Sequence, residues 1–212
     1  MNIGIIGASG KVGSLILKEA MNRGHQVTAI VRDQKKITDA NVAVVEKNIL
    51  ELTQEDVKPF DVIVNAFGAP LGEEQVHVDA GHALIEALKG TDTRAIIVGG
   101  AGSLYVDEDK TLRVMDTADF PDIFKPTAKG QGRNLEELQA TTDITWTFIS
   151  PSAMFDAEGK RTGAYQVGKD HLLVNSKGES YISYADYAIA VVDEIEKPQH
   201  VNERFTVVGE AE

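Results

Sequence analysis

The chain opens on Met1-Asn2-Ile3-Gly4-Ile5-Ile6 and passes directly into Gly7-Ala8-Ser9-Gly10-Lys11-Val12-Gly13. A short apolar strand thus meets a glycine-rich turn, and a helical pattern follows. Few architectures tolerate that junction. It suits a parallel strand whose carboxyl end lies under a helix N-terminus, where backbone N–H groups and the positive end of the helix dipole face any anion present. Gly7 permits the sharp turn, Gly10 lets a diphosphate approach the backbone, and Gly13 lets the helix pack close to the strand. Ser9, Lys11 and Val12 complete the expected cradle.

The same theme recurs along the chain. Gln26 to Val31 is a β-branched run after Gly24, so a helix over residues 11–23 separates two strands in a βαβ unit. Residues 42–45, 62–65, 95–98 and 145–149 are near-continuous apolar runs, as expected of strands covered on both faces. Helical patterns at 76–88 and 129–140 lie between them. This alternation predicts an α/β fold of the Rossmann type: a doubly wound parallel sheet with helices on both faces. After Phe148 the rhythm changes. Pro151, a polar loop at 156–160 and short segments at 164–167 and 171–174 predict a small C-terminal substrate lobe over residues 151–183, within a single domain spanning 1–212. A helix over 184–196, ended by Pro198, and a strand over 204–208 return to the sheet. Trp146, inside an apolar strand, is expected in the core.

Composition narrows the partners. Thirty-three acidic residues against twenty-one basic ones give a net charge of −12, which repels nucleic acid and anionic membranes at long range. Neither is an expected partner. An anionic cofactor must then be held by local cations and backbone donors, helped by screening over roughly 8 Å at cellular salt. The absence of cysteine excludes disulfides, thiolate metal sites and cysteine nucleophiles. The histidines lack ligand-like spacing, although His77 and His82 share a predicted helix, so no metal is expected. The first residues enter a strand with no basic leader, and no long apolar run follows, which reads as a cytoplasmic protein; a monomer or homodimer is expected.

Ligands of open α/β sheets bind beyond the carboxyl ends of the strands. The second strand ends in Val31-Arg32-Asp33, where dinucleotide folds read the adenosine ribose. An arginine there forks onto a 2′-phosphate, and an acid accepts the ribose hydroxyls. Arg32, followed by Lys35 and Lys36, favours NADP(H); Asp33 leaves NAD(H) open. After the third strand Asn48 can bond the adenine amino group and Ile49 can cover its face. After the fourth, Ala66 and Gly68 are small enough for close backbone approach, and Phe67 supplies apolar cover.

The fifth strand ends in Gly99-Gly100-Ala101-Gly102-Ser103-Leu104. With residues 7–13, 31–32, 161–165 and 183–195, this stretch resembles atypical short-chain dehydrogenases/reductases of the NAD(P)H-binding, NmrA-like group. It is similar to bacterial NADH-flavin reductases, and relatives include mammalian flavin (biliverdin-IXβ) reductase. The resemblance implies that Gly100, Ala101, Gly102 and Ser103 line the cofactor, with the Ser103 hydroxyl beside the nicotinamide. It implies that Lys129 holds the nicotinamide ribose, that Pro151 and Ser152 meet the carboxamide, and that Tyr105, Met154, Phe155 and Tyr165 border the acceptor. Ser103 and Lys129 are therefore the candidate catalytic pair.

One departure bears on the reaction. Family enzymes that reduce carbonyls carry Tyr-x-x-x-Lys, but Lys125 stands four residues before Lys129. The literal Tyr165-Gln166-Val167-Gly168-Lys169 falls after the sixth strand in a glycine-broken segment and is read as a chance match, with Asp170 as a loop-fixing carboxylate. Without a positioned proton donor, carbonyl reduction would forfeit a factor of about 10²–10⁴. Hydride delivery to a conjugated acceptor needs stacking within roughly 3–3.5 Å more than it needs an acid. The expected function is an NAD(P)H-dependent oxidoreductase reducing a flavin, quinone or similar small acceptor, with FMN or FAD as substrate rather than prosthetic group. A non-catalytic NAD(P)-binding redox sensor is the alternative, and an epimerase ranks last for want of the tyrosine.

Overall fold

The computed structural model describes residues 1–211. In chain order the elements are β1 (Asn2–Ile6), α1 (Lys11–Asn22), β2 (Gln26–Val31), β3 (Ala43–Glu46), α2 (Gln54–Val57), β4 (Val62–Asn65), α3 (Glu74–Leu88), β5 (Arg94–Val98), α4 (Lys125–Ala140) and β6 (Thr145–Ser150). They continue through β7 (Met154–Asp156), β8 (Gln166–Gly168), β9 (Tyr181–Ser183), α5 (Tyr184–Glu196) and β10 (Glu203–Val208).

The main sheet has the order β3-β2-β1-β4-β5-β6-β10-β8. Every pairing is parallel except that of β8, which runs antiparallel along β10. Strand order reverses between β1 and β4, so the loops after those two strands diverge and leave a crevice above them. This is the doubly wound Rossmann-type fold that the strand and helix rhythm predicts.

Each face of the sheet carries its own core. On one side Ile16, Leu17 and Ala20 of α1 and Tyr187, Ala188 and Val191 of α5 pack against Ile3, Ile5, Val64 and Phe205. On the other, Leu84, Ile85 and Leu88 of α3 and Leu135 and Leu138 of α4 pack against Ile63, Ile97, Phe148 and Trp146. Trp146 is 2% exposed. Because apolar side chains leave both faces of each central strand, the strands read as unbroken apolar runs rather than alternating ones.

Helix boundaries differ from the sequence reading in an instructive place. Helix α4 starts at Lys125, ahead of the expected residue 129, with Pro126 in its first turn. A proline is tolerated there because the N–H it lacks would have had no intrahelical partner. Residues 151–183 divide between two structures. Strands β7 and β9 form a separate two-stranded parallel sheet, and β8 joins the main sheet as its edge. Residues 171–174 form no strand; His171 makes an isolated bridge to Tyr105. Among the described residues, no helix is long and apolar enough to cross a membrane.

A buried ion pair ties α5 to the sheet at the end away from the crevice. Arg94, at the start of β5, donates to Glu194 Oε1 at 2.5 Å, to the Glu194 carbonyl at 3.0 Å and to Thr147 Oγ1 at 2.7 Å. The Glu194 carboxylate also accepts from the backbone N–H groups of Gln199 and His200 and pairs with His200 Nδ1. Removing Arg94 leaves the buried Glu194 carboxylate with only His200 and two backbone N–H groups. Arg94→Ala is expected to lower the unfolding free energy by about 3–5 kcal/mol, read from urea denaturation; a loss no larger than that of an exposed lysine substitution would refute this role.

Candidate functional site

The turn between β1 and α1 is defined by contacts that only glycine allows. Gly7 sits at φ +76°, and a Cβ built on it would lie 2.5 Å from the Ala66 carbonyl oxygen. A Cβ on Gly13 would lie 2.3 Å from the Gly7 carbonyl oxygen. The first turn of α1 is thus pressed onto the end of β1, and the loop after β4 onto the turn. Gly10 supplies the N-cap with no side-chain hydrogen bond, and no acidic residue occupies the first turn. An anion arriving there meets an uncapped, unneutralised helix start.

Above this turn lies a cleft of about 350 Å³, lined by Gly7, Ser9, Gly10, Lys11, Val12, Arg32, Ile49, Ala66, Phe67 and Gly68 from the expected set. It is also lined by Ile6, Ile30, Val31, Lys47 and Tyr184. Among the described residues, three cations and no carboxylate line it, although the protein carries a net charge of −12. Asp33 is spent locally: its Oδ1 accepts from the Lys35 N–H at 3.1 Å and caps the 34–36 turn. Arg32, one position earlier, is exposed to solvent.

Lys47 and Tyr184 escape a reading of the sequence because both enter the cleft through tertiary neighbours. Lys47 follows β3, which the strand order places beside β2. Tyr184 opens α5, which packs along α1. Its ring lies 4.0 Å from that of Phe155, centroid to centroid. Burial first, and then the nearby Asp156 carboxylate, hold its hydroxyl above the ordinary tyrosine range.

The other expected site residues lie elsewhere. Asn48 turns to cap the 49–51 turn, its Oδ1 accepting from the Leu50 N–H at 3.1 Å. Past β5, Gly100 faces the Gln131 side chain and Gly102 faces Ala128; Ala101 between them is half-buried. Ser103 turns into a separate cavity of about 210 Å³, shared with Tyr105, Lys110, Arg113, Asp170 and Arg204. Its hydroxyl there accepts from Arg204 Nη1 at 3.2 Å. Asp170 accepts from Arg204 Nε at 2.9 Å and from Lys110 Nζ at 2.7 Å, holding that loop.

Lys129 is exposed on α4. Pro151 is buried, and the buried Ser152 donates from Oγ to the Val207 carbonyl at 2.7 Å. Met154 is 60% exposed, and Phe155 packs on Tyr184 and Tyr187. The Tyr165 hydroxyl donates to Asp193 Oδ2 at 2.6 Å, more than two turns along α5 from Tyr184, in a cavity shared with Arg23 and His200. Tyr165 and Lys169 therefore do not form a pair at the cleft.

The floor of the cleft is braced from α3. The Ala69 N–H donates to His77 Nε2 at 3.4 Å, and the Phe67 ring meets the His77 ring edge-on at 5.8 Å. Burial pushes the His77 imidazole below its ordinary pKa.

A parallel sheet with a crevice at its reversal point, a glycine turn under an uncapped helix and a cleft lined by cations define a dinucleotide-binding protein. The chain belongs to the NAD(P)H-binding family, whose model matches residues 7–198. It is 64% identical over its whole length to the full-length protein YwnB of Bacillus subtilis. A "putative NADH-flavin reductase" of Streptococcus pneumoniae TIGR4 superposes with a TM-score of 0.94 at 43% identity, covering 99% of this chain and 100% of that one. A Bacteroides thetaiotaomicron protein whose name reads epimerase, under the same qualifier, gives 0.86 at 38% identity, covering 100% and 98%. The residues present fit the family's dinucleotide: the uncapped start of α1 and the cations Lys11, Arg32 and Lys47 in the lining suit its anionic phosphates.

Two outcomes follow. Gly13→Ala forces a methyl group onto the Gly7 carbonyl, so α1 must shift. A loss of about 1–3 kcal/mol in stability is expected from this overpacking, with nicotinamide nucleotide binding weakened at least tenfold by calorimetry. For His77, a folded-state pKa below the free value of about 6.5 means that the unfolded chain takes up its proton first. Stability is therefore full above that value and declines as pH falls through it. Protonated Nε2 would also stop accepting from Ala69. Coenzyme affinity measured from pH 7.5 to 5.5 should fall on the acid side, and His77→Gln should flatten that dependence.

Proposed function

We propose that this protein is an NAD(P)H-dependent reductase that passes hydride to a small planar acceptor, a flavin or quinone, with NADPH as the preferred donor. The observation that carries the reading is the cleft itself: three cations and no carboxylate beside an uncapped helix start, in a member of the NAD(P)H-binding family. Backbone N–H groups at residues 9–12 and Lys11 hold the diphosphate. Arg32 takes the 2′-phosphate, and Ile49 with Phe67 flanks the adenosine. The bound dinucleotide supplies the hydride.

The choice of acceptor rests on which proton donors the cleft lacks. Lys125 stands where a catalytic tyrosine would precede Lys129, and the Tyr165 hydroxyl is engaged by Asp193. Tyr184 reaches the cleft, but burial and Asp156 make its hydroxyl a poor acid. A conjugated ring system that takes its proton from water suits this chemistry; an unactivated carbonyl does not. Ser103, hydrogen-bonded to Arg204, steadies the loop after β5. The name of the pneumococcal neighbour supports the same class of reaction.

The test is oxidation of NADPH and NADH followed against FMN, riboflavin, quinones and simple aldehydes. Turnover is expected with flavins or quinones and not with aldehydes. Tight coenzyme binding with no oxidation across the panel would make the protein a sensor instead. Arg32→Ala should weaken NADPH by about 1.5–3 kcal/mol, the worth of a charge-assisted contact, while NADH barely changes. Ser103→Ala should alter flavin reduction only slightly, whereas loss of a true acid would cost about a hundredfold or more.

A further inference from the structure

We propose that Lys47 is a second cation for the ribose phosphate of NADPH, recruited from Asp56, and that it determines coenzyme specificity together with Arg32; this rests on reading the cleft as a dinucleotide site.

The position follows from strand register. Strand β3 pairs parallel with β2, with Val31 opposite Glu46. The Lys47 N–H donates to the Val31 carbonyl at 2.8 Å. The residue after each strand, Arg32 after β2 and Lys47 after β3, therefore leaves the sheet at the same carboxyl end. Both line the same cleft.

The carboxylates at this corner are engaged elsewhere. Asp33 accepts from the Lys35 N–H, and Glu46 Oε2 accepts from the Gln34 N–H at 2.8 Å. Both brace the 34–36 turn, and neither lines the cleft. A ribose with free hydroxyls would meet no acceptor carboxylate in the lining. A 2′-phosphate would meet a guanidinium and an ammonium.

Lys47 is held in reserve by an exchangeable partner. Its Nζ lies 2.6 Å from Asp56 Oδ2, with the side chains 27% and 22% exposed, so water reaches the pair and the lysine can exchange partners. Asp56 also has other donors: burial raises its carboxyl, and the Lys47 hydrogen bond is the strongest of the contacts that nonetheless hold it below the ordinary range. The same oxygen accepts from the Thr53 N–H at 2.8 Å and Thr53 Oγ1 at 2.6 Å in the capping box of α2. Asp56 stays hydrogen-bonded when the lysine swings to a phosphate, and the net gain is the difference between a dianion and a water-exposed carboxylate.

The experiment is a calorimetric titration of the full chain and of Lys47→Met, Lys47→Arg and Arg32→Ala. The ligands are NADPH, NADH, adenosine 2′,5′-bisphosphate and 5′-AMP. Lys47→Met is expected to weaken NADPH and the bisphosphate by roughly tenfold, the low end for a charge-assisted contact. NADH and 5′-AMP should stay within about twofold, and Lys47→Arg should recover most of the loss. If Lys47→Met weakens all four ligands alike, or none, while Arg32→Ala still separates NADPH from NADH, the inference is overturned and the proposed function stands. If Arg32→Ala separates nothing and the parent chain binds NADPH no better than NADH, the phosphate corner and the coenzyme preference fall together.

Discussion

The contact on which the rest of the molecule depends is the close approach of three backbone segments at the head of β1. Gly7, Gly13 and the loop at Ala66 meet with no room for a Cβ. That packing sets where α1 begins, aims its uncapped start at the crevice, and holds the loop after β4 against it. Hydrophobic burial on both faces of the sheet stabilises the scaffold but leaves open which end of it binds. The glycine contacts add what burial lacks: they press the start of α1 onto the end of β1 and leave that helix start uncapped.

A strongly acidic protein can hold an anionic ligand because its acids are engaged locally. Asp33 and Glu46 brace one turn, Asp56 caps another, and Asp170 ties down a loop. Glu19 shows the same logic at a distance from the cleft: burial raises its pKa, but hydrogen bonds from Arg23 and Arg161 outweigh that and hold it lowered. What faces the cleft is the cationic remainder. Net charge sets the long-range field, whereas the ligand responds to charges within about a Debye length.

The loops beyond β5 and β6 have a different character. The hydroxyls of Ser103, Ser152 and Tyr165 are each committed to a neighbour in the fold through a hydrogen bond. A hydroxyl already donating to or accepting from a neighbour serves as a strut first. This is consistent with a reaction in which the protein positions the reactants and demands little acid–base work of itself.

Read alone, the chain determined its class of fold, the glycine turn at the end of β1 and which residues following β1, β2 and β4 come to share a cleft. Those features are local: glycine spacing, apolar runs and β-branched clusters act within one βαβ unit, and the turn chemistry is written where it is used. The start of α4 was hidden by Pro126, which looks like a breaker until the first turn it occupies is known. Only the tertiary structure decided that Lys47 and Tyr184 share the cleft, that Asn48 and Asp33 serve as caps, and that Ser103 and Tyr165 turn to other cavities. Each of these depends on which strand ends beside which, and on where a side chain finds its partner across the sheet. That distance in space has no counterpart in spacing along the chain.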